Sequence, residues 1–242
     1  MDVPLPTDKL SLTSTINPEQ KYVVLVATGS FNPPTYMHLR LFELGRDALN
    51  AAGYIVIGSY MSPVNDEYKK RGLIPAEHRI QLCQLASRSS DFVMVDSWEA
   101  SQSTYQRTIA VLSRIKSCLC RERLLSEDSL KVMLVCGSDL LQSFSTPGVW
   151  IPEQVKIICK DFGVVCIRRE GQDIEKIITD NEILSEHRVN IKVVDELVPN
   201  QISSTRVREC ISRGLSIKYL TADEVIDYIK DNHLYLKSDE DK

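Results

Sequence analysis

The chain has 242 residues, of which 43% are hydrophobic and 26% charged, and it carries a formal net charge of −4 with a pI near 5.7. This length fits one well-buried domain, and the acidic balance argues against a nucleic-acid partner, which usually requires a basic face. No apolar run approaches the roughly 18 residues that span a bilayer, so we expect a soluble protein without a membrane partner that acts on a small substrate.

The first twenty residues, Met1–Gln20, lack the basic start, apolar centre and small-residue cleavage site of a secretory signal. Their Pro, Ser and Thr content predicts a flexible lead-in. Seven cysteines are scattered among apolar residues, which is typical of reduced thiols in a core rather than a disulfide framework. Cys118 and Cys120 lack a second pair or a nearby histidine that would complete a zinc site, so we predict no metal site in the chain.

Short β-rich runs alternate with helix-period segments along most of the chain, a pattern typical of a parallel sheet with helices on both faces. The predicted strands are Tyr22–Thr28, Tyr54–Tyr60, Phe92–Asp96, Lys131–Cys136, Val164–Arg168 and Asn190–Val194. The predicted helices are Met37–Ala52, Ala76–Arg88, Thr104–Leu125, Glu153–Asp161 and Asp173–Leu184. The sequence therefore predicts an α/β fold with a doubly wound parallel sheet.

The end of the chain changes character, because two predicted helices follow each other at Ser204–Arg213 and Ala222–Asn232. Gly214 can end the first helix, while Thr221 and Glu224 have capping-box spacing at the start of the second. We expect this C-terminal helical segment to close one side of the site. The predicted division is a lead-in at 1–20, a single domain at 21–236 with its helical part at 203–236, and a charged tail at 237–242.

The first predicted strand continues directly into residues 29–38, which read Gly-Ser-Phe-Asn-Pro-Pro-Thr-Tyr-Met-His. In an open α/β sheet, ligands bind beyond the carboxyl ends of the strands, where helix N-termini present free N–H groups to phosphates. Gly29 allows the backbone to approach a ligand, and Thr35 and His38, three residues apart, share a helix face. The simpler alternative is a tight strand-to-helix turn whose histidine is only a polar helix-end residue.

A second segment, residues 202–208, reads Ile-Ser-Ser-Thr-Arg-Val-Arg and stands at the start of a predicted helix. Its hydroxyls can cap the helix and donate to phosphate oxygens, and Arg208 offers a fork-shaped cation. Taken alone, this segment is equally compatible with a plain helix N-cap.

Together the two segments resemble the nucleotidyltransferase superfamily, whose signatures are His/Thr-x-x-His and Ile-Ser-Ser-Thr-x-x-Arg. The longer form Gly-Ser-Phe-Asn-Pro-Pro-Thr-x-x-His resembles the eukaryotic nicotinamide/nicotinate mononucleotide adenylyltransferases. The similarity runs from Lys21 to about Leu236 and includes Ser62-Pro63-Val64, Tyr68-Lys69-Lys70, Leu73-Ile74-Pro75-Ala76, Trp98-Glu99 and Cys136-Gly137-Ser138-Asp139-Leu140-Leu141. This resemblance implies a Rossmann-like nucleotidyltransferase fold.

The resemblance also implies a reaction of NAD biosynthesis: the 5′-phosphate of nicotinamide or nicotinate mononucleotide attacks the α-phosphorus of ATP, giving NAD or deamido-NAD and pyrophosphate. No covalent protein intermediate is needed, so catalysis becomes positioning and charge neutralisation, with His38 and Arg208 as catalytic residues. The residues expected around ATP are Gly29, Ser30, Phe31, Thr35, Ser204 and Thr205. A divalent metal, magnesium, is expected to arrive on the ATP phosphates, because no clustered carboxylates are evident in the sequence.

For the mononucleotide or NAD, the resemblance points to a second set of residues. These are Lys70, Tyr105, Thr108, Trp98, Gly137, Asp139, Val149, Trp150, Glu196 and Asn200. Lys70 would contact the phosphate, although its neighbours Lys69 and Arg71 are also cationic and either could take this role instead. Tyr105 would stack on the base where some relatives have tryptophan, which leaves the pocket shape open. The alternatives are a solvated basic loop around Lys70 and core packing for the tryptophans.

Two other classes of function remain as alternatives. One is a different nucleotidyltransferase of the same superfamily, and the other is a non-catalytic NAD-binding or chaperone-like protein built on this fold. A dehydrogenase or P-loop kinase is not supported, because the chain has neither Gly-x-Gly-x-x-Gly nor Gly-x4-Gly-Lys-Ser/Thr. By analogy with relatives we expect a homo-oligomer. The location stays open between the cytoplasm and the nucleus, because the basic clusters of the chain are short.

Overall fold

A computed structural model describes residues 3–12, 20–121 and 126–236. Its centre is a six-stranded sheet of order β3-β2-β1-β4-β5-β6, in which all neighbouring strands run parallel. The strands are β1 Tyr22–Gly29, β2 Ile55–Pro63, β3 Val93–Val95, β4 Leu130–Gly137, β5 Val164–Ile167 and β6 Ile191–Val194. The doubly wound α/β prediction is confirmed, with every predicted strand present.

Helices cover both faces of this sheet because the central strands are apolar on both sides. The helices are α1 Tyr36–Ala51, α2 Ala76–Ala86, α3 Thr108–Arg121, α4 Ser138–Ser143, α5 Pro152–Ile157, α6 Ile174–Thr179, α7 Glu182–Glu186, α8 Ser204–Ser212 and α9 Asp223–Asp231. Along β1, Val24 and Val26 join one apolar cluster, whereas Val23 and Leu25 join the cluster on the opposite face. This alternation buries a continuous apolar run, as expected of a strand covered on both faces.

The predicted helix Asp173–Leu184 is wrong, because the structure has two short helices there, α6 and α7. The Asp173 side chain accepts a hydrogen bond from Lys176 N at 3.0 Å and so caps α6. The Asn181 side chain accepts from Leu184 N at 3.1 Å and starts α7. A polar side chain that caps a new helix interrupts the apolar period, which continues across the break.

The C-terminal helices α8 and α9 pack on α2 and form a third apolar cluster with it, separate from the two on the sheet. Gly214, with φ of 68°, follows the end of α8 as predicted. The capping role predicted for Thr221 is wrong: Ala222 is the N-cap of α9, and the Thr221 hydroxyl donates to Pro34 O at 2.9 Å. This contact ties the helical segment to the turn after β1.

The N-terminal residues 3–12 differ from the expected flexible lead-in, because they pack against the sheet. Leu5 is buried, and Pro6 O accepts a hydrogen bond from the Tyr60 hydroxyl at 2.7 Å. The Lys9 ammonium donates to Ser87 O at 2.8 Å and to Val93 O at 3.1 Å. The flexible lead-in was predicted from the Pro, Ser and Thr content of residues 1–20, and composition carries no information on such long-range contacts. The predicted charged tail at 237–242 lies outside the described residues.

Two further expectations concern the thiols and the membrane. All seven cysteines are free, and burial raises the pKa of Cys159 to about 12, as for an inert thiol in a core. None of the helices in the described ranges is long and apolar enough to cross a membrane.

Candidate active site

A cavity of about 360 Å³ opens where β1 and β4 end. The strand order reverses between these two strands, which is the point at which open α/β sheets bind their ligands. The N-termini of α1 and α8 both contribute residues to the cavity, so two helix dipoles favour an anion there. Ten of the predicted site residues line it: Gly29, Ser30, Phe31, His38, Lys70, Gly137, Asp139, Ser204, Thr205 and Arg208.

The turn after β1 is held in an unusual conformation at its centre. Phe31 has φ of 44°, in the left-handed region that is uncommon for residues with a Cβ. The Phe31 ring is buried and contacts the His38 ring edge to face, with 5.2 Å between centroids. The strained backbone at Phe31 therefore places its ring in a fixed position against the His38 ring.

The His38 ring has a defined tautomer because of its contact with Thr35. The Thr35 backbone N–H donates to His38 Nδ1 at 3.0 Å, and the Thr35 hydroxyl lies 2.8 Å from the same nitrogen. Since Nδ1 is an acceptor, the proton of the neutral ring is on Nε2. Thr35 itself is buried, and its contribution to the site is to orient the His38 ring through this contact. His38 Nε2–H is thus the ring's free donor.

Burial, and secondarily the positive charge of Arg169, lower the pKa of His38 to about 4. The ring is therefore neutral at physiological pH in the free protein. A neutral imidazole with Nε2–H can donate to a phosphate oxygen without first being charged. Bound polyphosphate would favour the protonated ring and reinforce the same contact.

Arg208 reaches from the second turn of α8 back to the turn after β1. Its Nη1 donates to Asn32 O at 2.7 Å, and Nη2 donates to the Thr205 hydroxyl at 3.4 Å. The two serines before it have different roles. Ser203 caps α8 by accepting a hydrogen bond from Arg206 N, whereas the Ser204 hydroxyl donates to Pro33 O at 2.7 Å. Ser204 thus holds the turn in the free protein, and the exposed Thr205 hydroxyl faces the cavity.

Arg169 is a cavity residue that no sequence motif indicated. It follows β5, its guanidinium pairs with Asp139, and Gln172 donates to the other Asp139 oxygen at 2.8 Å. Its backbone N–H donates to the buried Ser138 hydroxyl at 3.2 Å. The signal available in the sequence was its position just after a predicted strand adjacent to β4.

The sequence left open whether Lys69 or Lys70 contacts the phosphate, and the two side chains have different surroundings in the structure. Lys70 lines the cavity, whereas Lys69 pairs with Glu67 at 3.2 Å and is largely exposed. The loop that carries them is tied to the first turn by Arg79, whose fully buried guanidinium donates to Ser30 O at 3.3 Å and to Asp66 Oδ1 at 2.7 Å. Arg79 lies inside α2 and matched no motif.

The residues predicted for the nicotinamide end lie beside the cavity rather than in its lining. The Thr108 hydroxyl is 3.4 Å from the hydroxyl of Thr28, which does line the cavity. Tyr105 is 39% exposed and stacks on Tyr68 with 5.8 Å between ring centroids. Both rings are partly exposed, so the pair can stack on a planar base.

The two tryptophans pack against the core, as their alternative interpretation held. Trp98 lies under the Arg114 guanidinium, 5.1 Å from the ring centroid, and Trp150 contacts Phe144 edge to face at 4.7 Å. Trp150 Nε1 donates to the Ser143 hydroxyl at 2.9 Å, so this polar group is already satisfied. Val149 next to it is 52% exposed and does not line the cavity.

Glu196 and Asn200 are not brought into this cavity but line a separate shallow groove beside α1. Glu196 Oε1 pairs with Arg40 Nε at 3.1 Å, and its side chain is only 7% exposed. Asn200 Oδ1 accepts from Ile202 N at 2.8 Å. In the free protein both side chains therefore hold the segment that leads into α8, Glu196 by its ion pair with α1 and Asn200 by its bond to Ile202.

Glu99 is a second titratable group that no motif pointed to. It is buried, and burial raises its pKa to about 8, although the Ser62 hydroxyl donates to its Oε2 at 3.0 Å and opposes this shift. The carboxyl is therefore mostly neutral at pH 7. A raised native pKa means that the unfolded state loses the proton first, so stability declines as pH rises from about 4.5 through 8.

We expect Glu99→Gln to remove this pH dependence, because glutamine keeps the shape and the acceptor for Ser62 but carries no charge. Its Tm at pH 8 should exceed that of the parent by about 3 °C or more, and the two should converge near pH 5. Melting curves across this range test the prediction, with the exposed Glu77→Gln as control. Parallel curves for parent and Glu99→Gln would contradict it.

No group of three or more His, Cys, Asp or Glu residues that could hold a metal ion occurs within the described parts of the chain. The Asp139 carboxylate at the cavity is already engaged by Arg169 and Gln172. Lys70, Arg169 and Arg208 give the cavity lining cations that suit a polyanionic ligand.

The chain matches the cytidylyltransferase-like family over residues 26–210. It is 66% identical to the nicotinamide/nicotinic acid mononucleotide adenylyltransferase of Arabidopsis thaliana, an alignment that covers 97% of this chain and 98% of that protein. It is 64% identical to the enzyme of the same name from Oryza sativa subsp. japonica over 99% of this chain and 96% of that protein. A Bos taurus relative named nicotinamide/nicotinic acid mononucleotide adenylyltransferase 1 is 39% identical, covering 93% of each chain.

Solved structures with the same fold include the Plasmodium falciparum nicotinic acid mononucleotide adenylyltransferase in complex with NaAD. It superposes with a TM-score of 0.64, covering 88% of this chain and 97% of that chain, at 19% identity. At this identity the match supports the fold alone. The adenylyltransferase relatives, by contrast, align over nearly the whole chain.

Proposed function

The chain belongs to the nicotinamide/nicotinic acid mononucleotide adenylyltransferases, and we propose that its cavity transfers the adenylyl group of ATP to nicotinamide or nicotinate mononucleotide. The products are NAD or deamido-NAD and pyrophosphate, a step of NAD biosynthesis. The observation that carries this proposal is the meeting of His38, Arg208 and two helix N-termini around one cavity at the sheet's reversal point.

The reaction is a direct displacement at the α-phosphorus, in which the mononucleotide 5′-phosphate forms the new P–O bond and pyrophosphate leaves. Such a phosphate is already anionic near neutral pH, so no general base is required. This agrees with a His38 whose pKa is too low for it to act as a base at physiological pH. His38 Nε2–H donates to the α- and β-phosphate oxygens, while Arg208 neutralises the leaving pyrophosphate.

The remaining cations divide between the two substrates. Lys70 lines the cavity and follows Tyr68, whose ring stacks on Tyr105, by two residues. This supports a mononucleotide bound with its phosphate at Lys70 and its base on the tyrosine pair. Arg169 follows the end of β5, which supports binding of the ATP part there, whereas Asp139, predicted for the mononucleotide or NAD, follows β4 and pairs with Arg169. Magnesium enters as part of the MgATP substrate, bound by the phosphates.

Measurement of pyrophosphate release with a small set of donors and acceptors tests this function. ATP with either mononucleotide should release pyrophosphate, and CTP should not replace ATP. Turnover only with CTP, or only with a different acceptor, would favour another nucleotidyltransferase activity. Nucleotide binding without any release would favour the non-catalytic alternative.

We expect the two mononucleotides to be used with kcat/KM values within about tenfold of each other, roughly 1.4 kcal/mol. Amide and carboxylate have nearly the same shape, and strong discrimination needs a cation or a repelling group facing them. Arg107, the one cation of the segment from Trp98 to Thr108, is exposed, whereas the adjacent Thr108 is buried. A side-by-side assay showing a preference above a hundredfold would reveal a missed specificity group.

A homo-oligomeric state stays a prediction by analogy with the relatives, and a location in the cytoplasm or the nucleus stays a prediction as well. Sedimentation of the purified chain and imaging of a tagged chain would test them directly.

A further inference from the structure

The side chain of Asn32 connects three separate parts of the molecule. Asn32 is 4% exposed and lies in the turn after β1. Its Nδ2 donates to Gly72 O at 2.7 Å, and its Oδ1 accepts from the Tyr235 hydroxyl at 2.9 Å and from Ile74 N at 3.5 Å. One amide thus joins the first turn, the basic loop that carries Lys70, and the last described residues of the chain.

The backbone of the same turn is held independently of this amide. Arg208 donates to Asn32 O at 2.7 Å, Ser204 to Pro33 O at 2.7 Å, and Thr221 to Pro34 O at 2.9 Å. These three contacts come from the C-terminal helical segment and fix the ATP side of the cavity. They would remain if the Tyr235 hydroxyl were removed.

The groups around the Asn32 amide fix which way it points. The Gly72 carbonyl can only accept and the Ile74 N–H can only donate, so Nδ2 faces Gly72 while Oδ1 faces Ile74 and Tyr235. The phenol must be the donor in this bond, because it meets the carbonyl oxygen of the amide. Burial raises the pKa of Tyr235, so the hydroxyl keeps its proton throughout the physiological range. With Oδ1 directed at Tyr235, Nδ2 is directed at the carbonyl of Gly72, two residues after Lys70.

We propose that Tyr235 is a positioning residue for the mononucleotide: through the Asn32 amide, its hydroxyl holds the loop at Gly72 and so sets Lys70 in the cavity lining. This inference rests on the proposed function of the cavity. Without the hydroxyl, Asn32 Oδ1 would keep only the 3.5 Å contact with Ile74 N, and a buried acceptor left so poorly paired favours a shift of the side chain toward another donor. Such a shift would lengthen the 2.7 Å bond from Nδ2 and loosen the loop at Gly72.

The kinetic test uses Tyr235→Phe, which removes only the hydroxyl, with Tyr228→Phe as the matched control. Tyr228 also belongs to the C-terminal helices, and its hydroxyl bonds His78 Nδ1 at 2.9 Å, away from the cavity. For Tyr235→Phe we expect about a tenfold rise in the KM for the mononucleotide, an ATP KM within about twofold of the parent, and a Tm close to that of the control. An unchanged mononucleotide KM, an equal rise in both KM values, or the same kinetic change in the control would overturn the inference.

A second measurement is independent of turnover. The basic loop offers trypsin three consecutive exposed sites, Lys69, Lys70 and Arg71, in the free protein. Tyr235→Phe should be cleaved there at least about fivefold faster than the Tyr228→Phe control, because the attachment of the loop at Gly72 is loosened. Equal cleavage rates would overturn the role of Tyr235 whether or not the chain is active. Faster cleavage in a chain that makes no NAD would refute the proposed function, and with it the kinetic role of Tyr235, while preserving the structural link.

Discussion

His38→Ala is expected to lower kcat by at least ~100-fold, about 2.7 kcal/mol of transition-state stabilisation. The reason is the fixed tautomer: Thr35 N–H bonds to Nδ1, so the group lost is the Nε2–H donor of a residue that lines the cavity. The ring is also a neutral one, since its pKa is lowered to about 4. Loss of this donor removes a contact to the phosphates without exposing a buried charge. Steady-state kinetics with saturating ATP and mononucleotide measure the effect.

Alanine at this position also removes the acceptor for the Thr35 N–H, so a fold effect must be separated from a catalytic one. His38→Gln supplies that acceptor again, because glutamine is a natural capping-box partner at the third helical position. We expect the glutamine variant to melt like the parent and still lose most of its turnover. His78→Ala, which removes a histidine outside the cavity lining, serves as the control. Near-normal turnover in His38→Ala with an unchanged Tm would remove His38 from the mechanism.

Arg208→Lys is the second large effect, with kcat/KM for ATP expected to fall by about 30-fold or more, roughly 2 kcal/mol. The guanidinium uses one nitrogen on Asn32 O and another on the Thr205 side, and still presents further N–H groups to a phosphate. An ammonium is a compact point charge and cannot reproduce these simultaneous contacts. Kinetics of the variant against the exposed Arg206→Lys on the same helix test this. A lysine variant equal to the parent would reduce Arg208 to a structural residue.

The sequence was most informative where function is carried by residues adjacent along the chain. The turn from Gly29 to His38 lies between an apolar strand and an amphipathic helix, and both neighbours were predicted close to their observed bounds. The segment from Ile202 to Arg208 was likewise placed at a helix start. Since parallel strands and helix N-termini meet at one edge of a sheet, the two segments could be expected to share a site.

The sequence was least informative about contacts between distant segments. Arg79 touches Ser30 O across 49 positions, and Tyr235 touches Asn32 across 203. Neither contact leaves a local pattern, because an arginine or tyrosine at a helix or near a terminus is usually a surface or packing residue. The packing of residues 3–12 was missed for the same reason, because their contacts are with residues far away in the sequence, such as Tyr60.

Direct adenylyl transfer at this cavity is tested most directly by following the α-phosphorus of ATP. With ATP radiolabelled at the α-phosphate and nicotinamide mononucleotide in excess, the label should appear in NAD, in a one-to-one ratio with released pyrophosphate. No labelled protein should form, and His38→Gln should slow label transfer and pyrophosphate release equally. Label that ends in AMP, stays in ATP, or becomes attached to the chain before NAD appears would contradict direct displacement at the α-phosphorus.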